Sequence, residues 1–376
     1  GVRGCSRLSR HFSAIARLIE GLRQHHSERN AMSNRDHKRT LARICGSIAA
    51  LTAISSTNTI AAVSIGQARN NALDQMRVVG PPDQPMLIVP VGVPDWAANL
   101  GVTGAERVYK GICGPSGAAI SVEDLFRVAQ QDLQGHGGNP RGTMTTVVVG
   151  ESPSFAITYN ITDPQFGLFY LPSVIDAAEY IGNSFDNRVQ IDATMALGTF
   201  GGNTIGTAGS THYIIPWSVY VEGLRHQSLR DDARFAGALP APSVPVLYDG
   251  STTPTTETRM VVTDAQLRAV FGDNVFPHSE SVSITLNRNA AWHVFGCATE
   301  PESDQLSLVD VAVHEFTHSM GFNSGSDEGG NNSNNLIQGH DVARFRATNI
   351  PVSNATFASN PRIGEAFTSE FHFYSS

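Results

Sequence analysis

The alternation of apolar and polar residues along the chain predicts short strands interleaved with short amphipathic helices. Apolar and β-branched runs bounded by turn-forming residues predict strands, as at Met86–Val91. Apolar residues at helical spacing, preceded by Ser121 as a cap, predict a helix over 122–133. The same reading predicts further helices at 172–185, 217–227 and 229–238, and further strands at 143–149, 155–159, 188–196, 259–262, 282–286 and 291–295.

The order of these elements indicates the fold class. Strands and helices do not alternate strictly, and no internal repeat is present, so we expect an α+β fold. Between 259–262 and 282–286 the sequence predicts a short helix capped by Thr263 and Gln266. The Gly- and Thr-rich stretch 198–209 and the Pro-rich stretch 240–254 are predicted to be loops.

Composition and charge narrow the classes of partner. The 376 residues are 41% hydrophobic and 16% charged, with a formal net charge of −8. Residues 1–71 carry 11 Lys and Arg against 3 Asp and Glu, whereas residues 72–376 carry 15 against 31. Nucleic acid is therefore not expected as a main partner, since phosphate binding needs clustered basic residues. We also expect no stable membrane span, because no apolar run reaches about 20 residues.

The basic N-terminal part has the pattern of an export signal. Met32 is the first methionine, and basic residues follow it; a short apolar run at 41–54 and a small-residue stretch ending near Ala62 come next. This order predicts a signal peptide at 32–62 and an exported protein. Residues 1–31 are then interpreted as a lead-in upstream of the natural start.

The remaining chain is predicted to have two parts. Residues 63–145 form an N-terminal region or a prosegment, and residues 146–376 form the domain that carries the chemistry. Cys113 and Cys297 remain after cleavage, and in an oxidising compartment they could form a disulfide. As alternatives, Cys113 could be a buried free thiol, or its thiolate could occupy a metal site and silence a precursor.

The residues 314–318, His-Glu-Phe-Thr-His, carry the strongest chemical signal. Two histidines four residues apart lie on one face of a helix, so His314 and His318 could bind one zinc ion. Glu315 could take a proton from a water held by that ion as the water attacks a carbonyl. Ser307 and Asp310 predict the start of this helix, and Gly321 predicts its end.

Residues 314–322 resemble the HExxHxxGF motif of leishmanolysin-like zinc peptidases and of a group of secreted bacterial metalloproteases. The resemblance extends to Ser324, Asp327 and the segment 341–345. It implies a zincin-like domain with a mixed sheet and an active-site helix, and Zn²⁺ held by His314 and His318. It also implies Glu315 as the catalytic base, a protein or peptide substrate, and a secreted or cell-surface location in a bacterium.

The third zinc ligand is not evident from the sequence. A catalytic zinc takes three protein ligands, and the shorter metzincin motif would place the third at position 324, where this chain has Ser324. We expect the third ligand beyond Ser376, with the C-terminal subdomain incomplete. The candidates within the chain are Asp327, Glu328, His340, Asp341 and His372.

Three functions are compatible with these residues. The main hypothesis is a secreted zinc endopeptidase in which Glu315 activates water. The second is a non-catalytic cell-surface or adhesive protein on a degenerate zincin scaffold. The missing third ligand favours this hypothesis, and the presence of Glu315 opposes it. The third is a zinc hydrolase that acts on a non-peptide amide. The sequence does not specify the oligomeric state or the cleavage specificity.

Overall fold

A nine-stranded mixed sheet organises the part of the chain that the structure describes. The computed structural model describes residues 75–79, 85–113, 120–133, 144–150, 153–160, 163–185, 189–201, 204–227, 232–248, 251–272, 281–294, 301–302, 304–322, 336–346, 348, 350–364 and 372–373. All of them belong to one unit, Ala72–Ser376. The predicted lead-in and signal peptide lie outside the described residues.

The described strands are short, apart from two long ones near the middle of the sheet. In chain order they are β1 (Arg77–Val79), β2 (Met86–Val91), β3 (Gly104–Cys113), β4 (Met144–Val149), β5 (Ser154–Asn160), β6 (Gln190–Gly198), β7 (Thr204–Pro216), β8 (Val244–Tyr248), β9 (Thr255–Glu257), β10 (Arg259–Thr263), β11 (Val282–Asn287), β12 (Trp292–His293), β13 (Leu306–Ser307), β14 (Arg344–Phe345), β15 (Arg362–Gly364) and β16 (His372–Phe373).

The α-helices are also short. Those described are α1 (Asp95–Ala98), α2 (Val122–Leu133), α3 (Leu171–Gly182), α4 (Trp217–Gln227), α5 (Asp232–Ala238), α6 (Asp264–Phe271), α7 (Leu308–Ser319) and α8 (Asn354–Ser359). A π-helical turn, Phe166–Tyr170, leads into α3, and a 3₁₀ turn spans Gly339–Ala343. This mixture of helices with a large mixed sheet confirms the predicted α+β class.

The main sheet contains parallel and antiparallel pairs. Its order is β1-β2-β3-β7-β11-β6-β5-β4, with β10 paired to β7 as well. The neighbours β5, β6 and β11 are parallel to one another. The other neighbouring pairs are antiparallel.

Strand β7 overturns the prediction of a loop at 198–209. Its thirteen residues pair with β3 along one edge, and with β11 and then β10 along the other. A glycine is needed at position 209 for close packing of the strands, because a Cβ there would lie 2.5 Å from a ring carbon of Tyr109. A glycine inside a strand marks such a close approach, and the interleaved β-branched residues suit a strand.

Other strands also escaped the sequence prediction, and β8 and β3 are the clearest cases. The stretch 240–254, predicted to be a loop, contains β8, which pairs with β9 and β15. Strand β3 lies in a region for which the sequence predicted only α2. Most residues of β3 other than Val108 and Tyr109 are small, charged or glycine, so the apolar run that marks a strand is weak.

Helices cover both faces of the sheet near its middle. On one face α3 packs against α7, and alternate residues of β11 (Val282, Ile284 and Leu286) join the same buried core. On the other face Ser283 donates a hydrogen bond to Asp132 of α2, at 3.1 Å. The period-2 alternation of the strand therefore separates the two layers.

A buried polar cluster ties α2 to the sheet. Arg107 on β3 donates to Asp132 (2.8 Å), to Thr211 of β7 (2.9 Å) and to Ser283 of β11 (3.0 Å). Tyr109 also donates to Asp132, at 2.5 Å. Each of these bonds joins elements that are distant in sequence, so the region before residue 145 is bound into the sheet by side chains as well as by strand pairing.

Within the described residues, no helix combines the length and apolar character needed to cross a membrane.

Candidate metal centre

The helix α7 is fixed at both ends and along one side. The Ser307 hydroxyl accepts a hydrogen bond from the Asp310 backbone N–H, at 3.3 Å, as the sequence predicted. The apolar side chains Leu308, Ala312 and Phe316 are buried in the core that α7 shares with α3. The helix is followed by Gly321, whose φ of 91° confirms the predicted helix stop, since L side chains rarely adopt that conformation.

The two histidines of the motif converge, as their spacing predicts. The Nε2 atoms of His314 and His318 are 2.9 Å apart, and the ring planes are nearly perpendicular. Two neutral imidazoles at this distance share one hydrogen between their Nε2 atoms. The side chains therefore already face a common point in front of the helix.

The backbone after the helix holds the ring of His318. Its Nδ1 lies 3.2 Å from the carbonyl oxygen of Phe322. A carbonyl can only accept, so this contact favours the tautomer with hydrogen on Nδ1, in which Nε2 of His318 is the acceptor. A histidine that binds a metal through one nitrogen commonly donates from the other in this way.

The separation of the two Nε2 atoms fits a zinc ion. Zinc–nitrogen bonds of about 2.05 Å at a tetrahedral angle require two nitrogens roughly 3.3 Å apart. The observed 2.9 Å is within half an ångström of that value. Small ring rotations of His314 and His318 would therefore suffice, without any change in the helix.

Glu315 completes a cluster whose ligand atoms all lie within 4.8 Å of one another. The side chain is buried, and its Oε1 lies 3.8 Å from Nε2 of His314. Its Oε2 has no hydrogen-bond partner among the described residues. Burial raises the pKa of Glu315 to about 8, and the positive charge of Lys110 opposes that rise. An unpartnered buried carboxyl is costly, and a nearby cation would compensate it.

The candidates for a third ligand fall into three groups. His340 is described and lies beyond the end of α7, with its ring centroid 6.2 Å from that of Phe322. Asp341 has a structural role, because it accepts a hydrogen bond from the Gln338 backbone N–H at 2.9 Å and lies 3.6 Å from Arg344. It thus caps the 3₁₀ turn that precedes Arg344.

The remaining candidates lie outside what the structure describes. Asp327 and Glu328 are not among the described residues, and neither is Ser324. His372 is described only as part of the backbone of β16, where it pairs with Phe345. The side chain of Cys113 and the whole of Cys297 are likewise outside the described residues, so the proposed disulfide and the thiolate–zinc contact stay predictions.

Two contributors to the centre were not identified from the sequence. One is the Phe322 carbonyl, for which the sequence carries no signal, because any residue has a carbonyl. The other is Gln266 of α6, whose carboxamide occupies the space where a Cβ at Gly321 would lie. The sequence did identify Gln266 as a capping residue of α6, and both capping hydrogen bonds are present. Its contact with Gly321 depends on the tertiary fold.

Comparison with known proteins adds no further constraint. No protein-family model, curated protein sequence or solved structure matches this chain. The chemistry of the cluster and its surroundings therefore has to carry any functional assignment.

Proposed function

We propose that this protein is a zinc-dependent endopeptidase with a zincin-like domain, in which His314 and His318 bind the metal and Glu315 is the general base. The observation that carries the proposal is the cluster itself. Two imidazole nitrogens 2.9 Å apart lie beside a buried carboxyl that has an unpartnered oxygen within the described residues. A zinc ion bound by the two histidines would lie close to this carboxyl and would stabilise its charged form.

The chemistry of the proposed reaction divides between the ion and the chain. A bound zinc ion supplies a Lewis acid that polarises the substrate carbonyl and lowers the pKa of water. Glu315 accepts a proton from the attacking water while the oxygen of that water bonds to the carbonyl carbon. The carbon–nitrogen bond then breaks, and Glu315 returns the proton to the leaving amine. The proton is conserved over the cycle, and no redox partner is needed.

The third protein ligand is part of the proposal. His340 is the described candidate that lies next to Phe322, the residue whose carbonyl contacts His318. The described cluster that could hold a metal contains His314, Glu315 and His318 but not His340, so a His340→Gln variant that loses zinc affinity is needed to assign it. Unchanged affinity would contradict that assignment and turn attention to Asp327, His372 or sequence beyond Ser376.

The proposed setting is outside the cell. Residues 32–62 carry the signal-peptide pattern, and residues 72–376 are acidic overall. A secreted or cell-surface peptidase acting on protein substrates fits both features. Export would be tested by fusing residues 32–62 to a reporter that is active only after translocation.

The decisive experiment compares the wild-type chain with Glu315→Gln. We expect the wild type to bind one zinc ion and to cleave casein. The variant should keep its zinc but lose about 10²–10⁴-fold in rate, the usual contribution of a general base. Glu222→Gln is the matched control, because Glu222 is 74% exposed and lies on α4. A zinc-free, inactive wild type, or full activity in Glu315→Gln, would contradict the proposal.

The rival function is a non-catalytic surface or adhesive protein on a degenerate zincin scaffold. Ser324, in place of a metzincin third histidine, is the observation that favours it. The buried Glu315 opposes it, because a scaffold without catalysis has no need for a costly carboxyl beside the histidines. Zinc binding without cleavage of any protein substrate, in both wild type and Glu315→Gln, would favour this rival. Cleavage of small amides but not of peptides would favour the non-peptide hydrolase.

A further inference from the structure

Gln266 lies at the first turn of α6 and has a local capping role. Its backbone N–H donates to Thr263 Oγ1 at 3.3 Å, and its Oε1 accepts from the Thr263 backbone N–H at 3.1 Å. Each residue thus satisfies a backbone group that the helix start leaves unpaired. The bond from the Thr263 backbone N–H, which any residue at position 263 other than proline can donate, fixes the direction in which the Gln266 side chain leaves the helix.

The same carboxamide is flanked by two glycines from other parts of the chain. A Cβ at Gly321, just after α7, would overlap it, and so would a Cβ at Gly339, in the 3₁₀ turn. Both backbones approach the amide more closely than any other residue type would permit. Gln266 therefore acts as a wedge between the end of the proposed zinc helix and the turn that carries His340.

By packing on Gly321, Gln266 also influences the backbone that contacts the ring of His318. Gly321 N–H donates to the His318 carbonyl (3.0 Å), and Phe322 N–H donates to the Thr317 carbonyl (3.0 Å), so the reversal after α7 is tightly bound to its last turn. The Phe322 carbonyl then meets His318 Nδ1 at 3.2 Å. A shift of Gly321 into the space of the carboxamide would move this carbonyl away from the ring.

We propose that Gln266 is a positioning residue for the metal centre: by packing on Gly321 it sets the Phe322 carbonyl that orients His318. The inference rests on the proposed function, since it concerns the zinc affinity of His318. It assigns to Gln266 no contact with the metal, the substrate or the reacting atoms. Groups that orient metal-binding histidines typically change metal affinity about 10–100-fold when removed.

The test separates positioning from mere support of α6. Gln266→Ala removes the wedge, whereas Thr263→Ala removes the hydroxyl cap of the same helix and leaves the carboxamide in place. Zinc affinity is measured for both by competition with a chromogenic chelator, and stability by urea unfolding of the zinc-free chains. We expect Gln266→Ala to bind zinc at least tenfold more weakly than wild type, and Thr263→Ala to bind within about twofold of it.

Two further measurements complete the test, and the first does not require Gln266→Ala to fold. Gln266→Met retains the length of the side chain without its amide, and we expect it to restore zinc affinity to within about threefold of wild type. In the zinc-free protein, the ¹⁵N shifts of the His318 ring should report the Nδ1–H tautomer in wild type and a mixture of tautomers in Gln266→Ala.

The outcomes distinguish this inference from the proposed function. Equal losses of zinc affinity in Gln266→Ala and Thr263→Ala would overturn it, as would an unchanged His318 tautomer. A wild type that binds no zinc would instead overturn the proposed function, while the tautomer comparison would still test whether Gln266 orients His318.

Discussion

The ring of Phe316 packs against the ring of Phe155, with centroids 4.7 Å apart and planes inclined by 43°. Phe155 belongs to β5, and Phe316 lies between the two histidines of α7. Both side chains are fully buried. The contact therefore fixes the rotation of the helix about its axis, which decides where His314 and His318 point.

Phe316→Ala should cost about 3–5 kcal/mol in the free energy of unfolding, because it leaves a cavity beneath the helix. Urea unfolding of the zinc-free chain measures this loss. Phe169→Ala is the control, since Phe169 is 54% exposed, and it should change stability by less than about 1 kcal/mol. Similar losses in the two variants would show that the Phe155–Phe316 contact does not anchor α7.

Gly321→Ala should destabilise the chain and weaken zinc binding together. The φ of 91° strains any L side chain, and the new methyl group would overlap Gln266. We expect a loss above about 1 kcal/mol. Gly237→Ala is the matched control: Gly237 is in α5 with open space around a Cβ, so alanine should raise stability by up to about 1 kcal/mol. Thermal unfolding of both variants checks the contrast.

His212 should make the fold sensitive to acid. Burial lowers its pKa to about 3, and the charges of Lys110 and Arg107 add to the effect. Below pH about 6.5 the unfolded chain binds a proton at this residue while the folded chain does not, so stability falls as the pH falls. The fall continues until the pH approaches the folded-state pKa of about 3.

His212→Gln should remove this dependence. Each pH unit between about 6.5 and 3 shifts the wild-type folding equilibrium up to tenfold through this group. Between pH 6.5 and 5 the folding equilibrium of the wild type should therefore fall about 15-fold more than that of the variant. His226→Gln is the control, because the side chain of His226 is 76% exposed. Urea unfolding with a chelator present checks the slopes, and parallel slopes for wild type and His212→Gln would refute the explanation.

Zinc should stabilise the folded chain through the two motif histidines. At a free zinc concentration of a hundred times the dissociation constant, the gain in the free energy of unfolding should be about 2.7 kcal/mol. His318→Gln should abolish most of the gain, and His226→Gln should keep it. Thermal unfolding with and without a chelator makes the comparison. An equal gain in the His318→Gln variant would place the zinc elsewhere.

Local signals predicted several of the helices well. The helix Val122–Leu133 is present as predicted, and Ser121 accepts a hydrogen bond from the Asp124 backbone N–H at 3.2 Å. The caps at Thr263 and Ser307 are also present. Capping depends on residues three positions apart, so a sequence contains all that is needed to predict it.

The middle of the sheet could not be predicted in the same way. The glycines of β7 resemble those of a loop until Tyr109 of β3 is placed against Gly209. These two residues are directly opposite in the strand pairing but 100 positions apart in sequence. A pattern confined to one segment carries no information about such a partner, and so both long strands were missed.

The metal centre likewise combines features that the sequence predicts with features that it does not. The spacing of His314 and His318 implied that they would meet, and their Nε2 atoms do lie 2.9 Å apart. The contributions of Gln266 and of the Phe322 carbonyl depend on how α6 approaches the end of α7. That approach is set by tertiary packing, which no local motif encodes.

The ten-residue pairing of β3 with β7 has a consequence for proteolytic maturation. A cut between Cys113 and Met144 would leave β3 bound along its whole length to the strand beside it. Arg107 would still bridge to Thr211 and Ser283 on the far side of the cut. The product of such processing would be a two-chain protein joined by strand pairing and side-chain hydrogen bonds, and its N-terminal piece would not separate under native conditions.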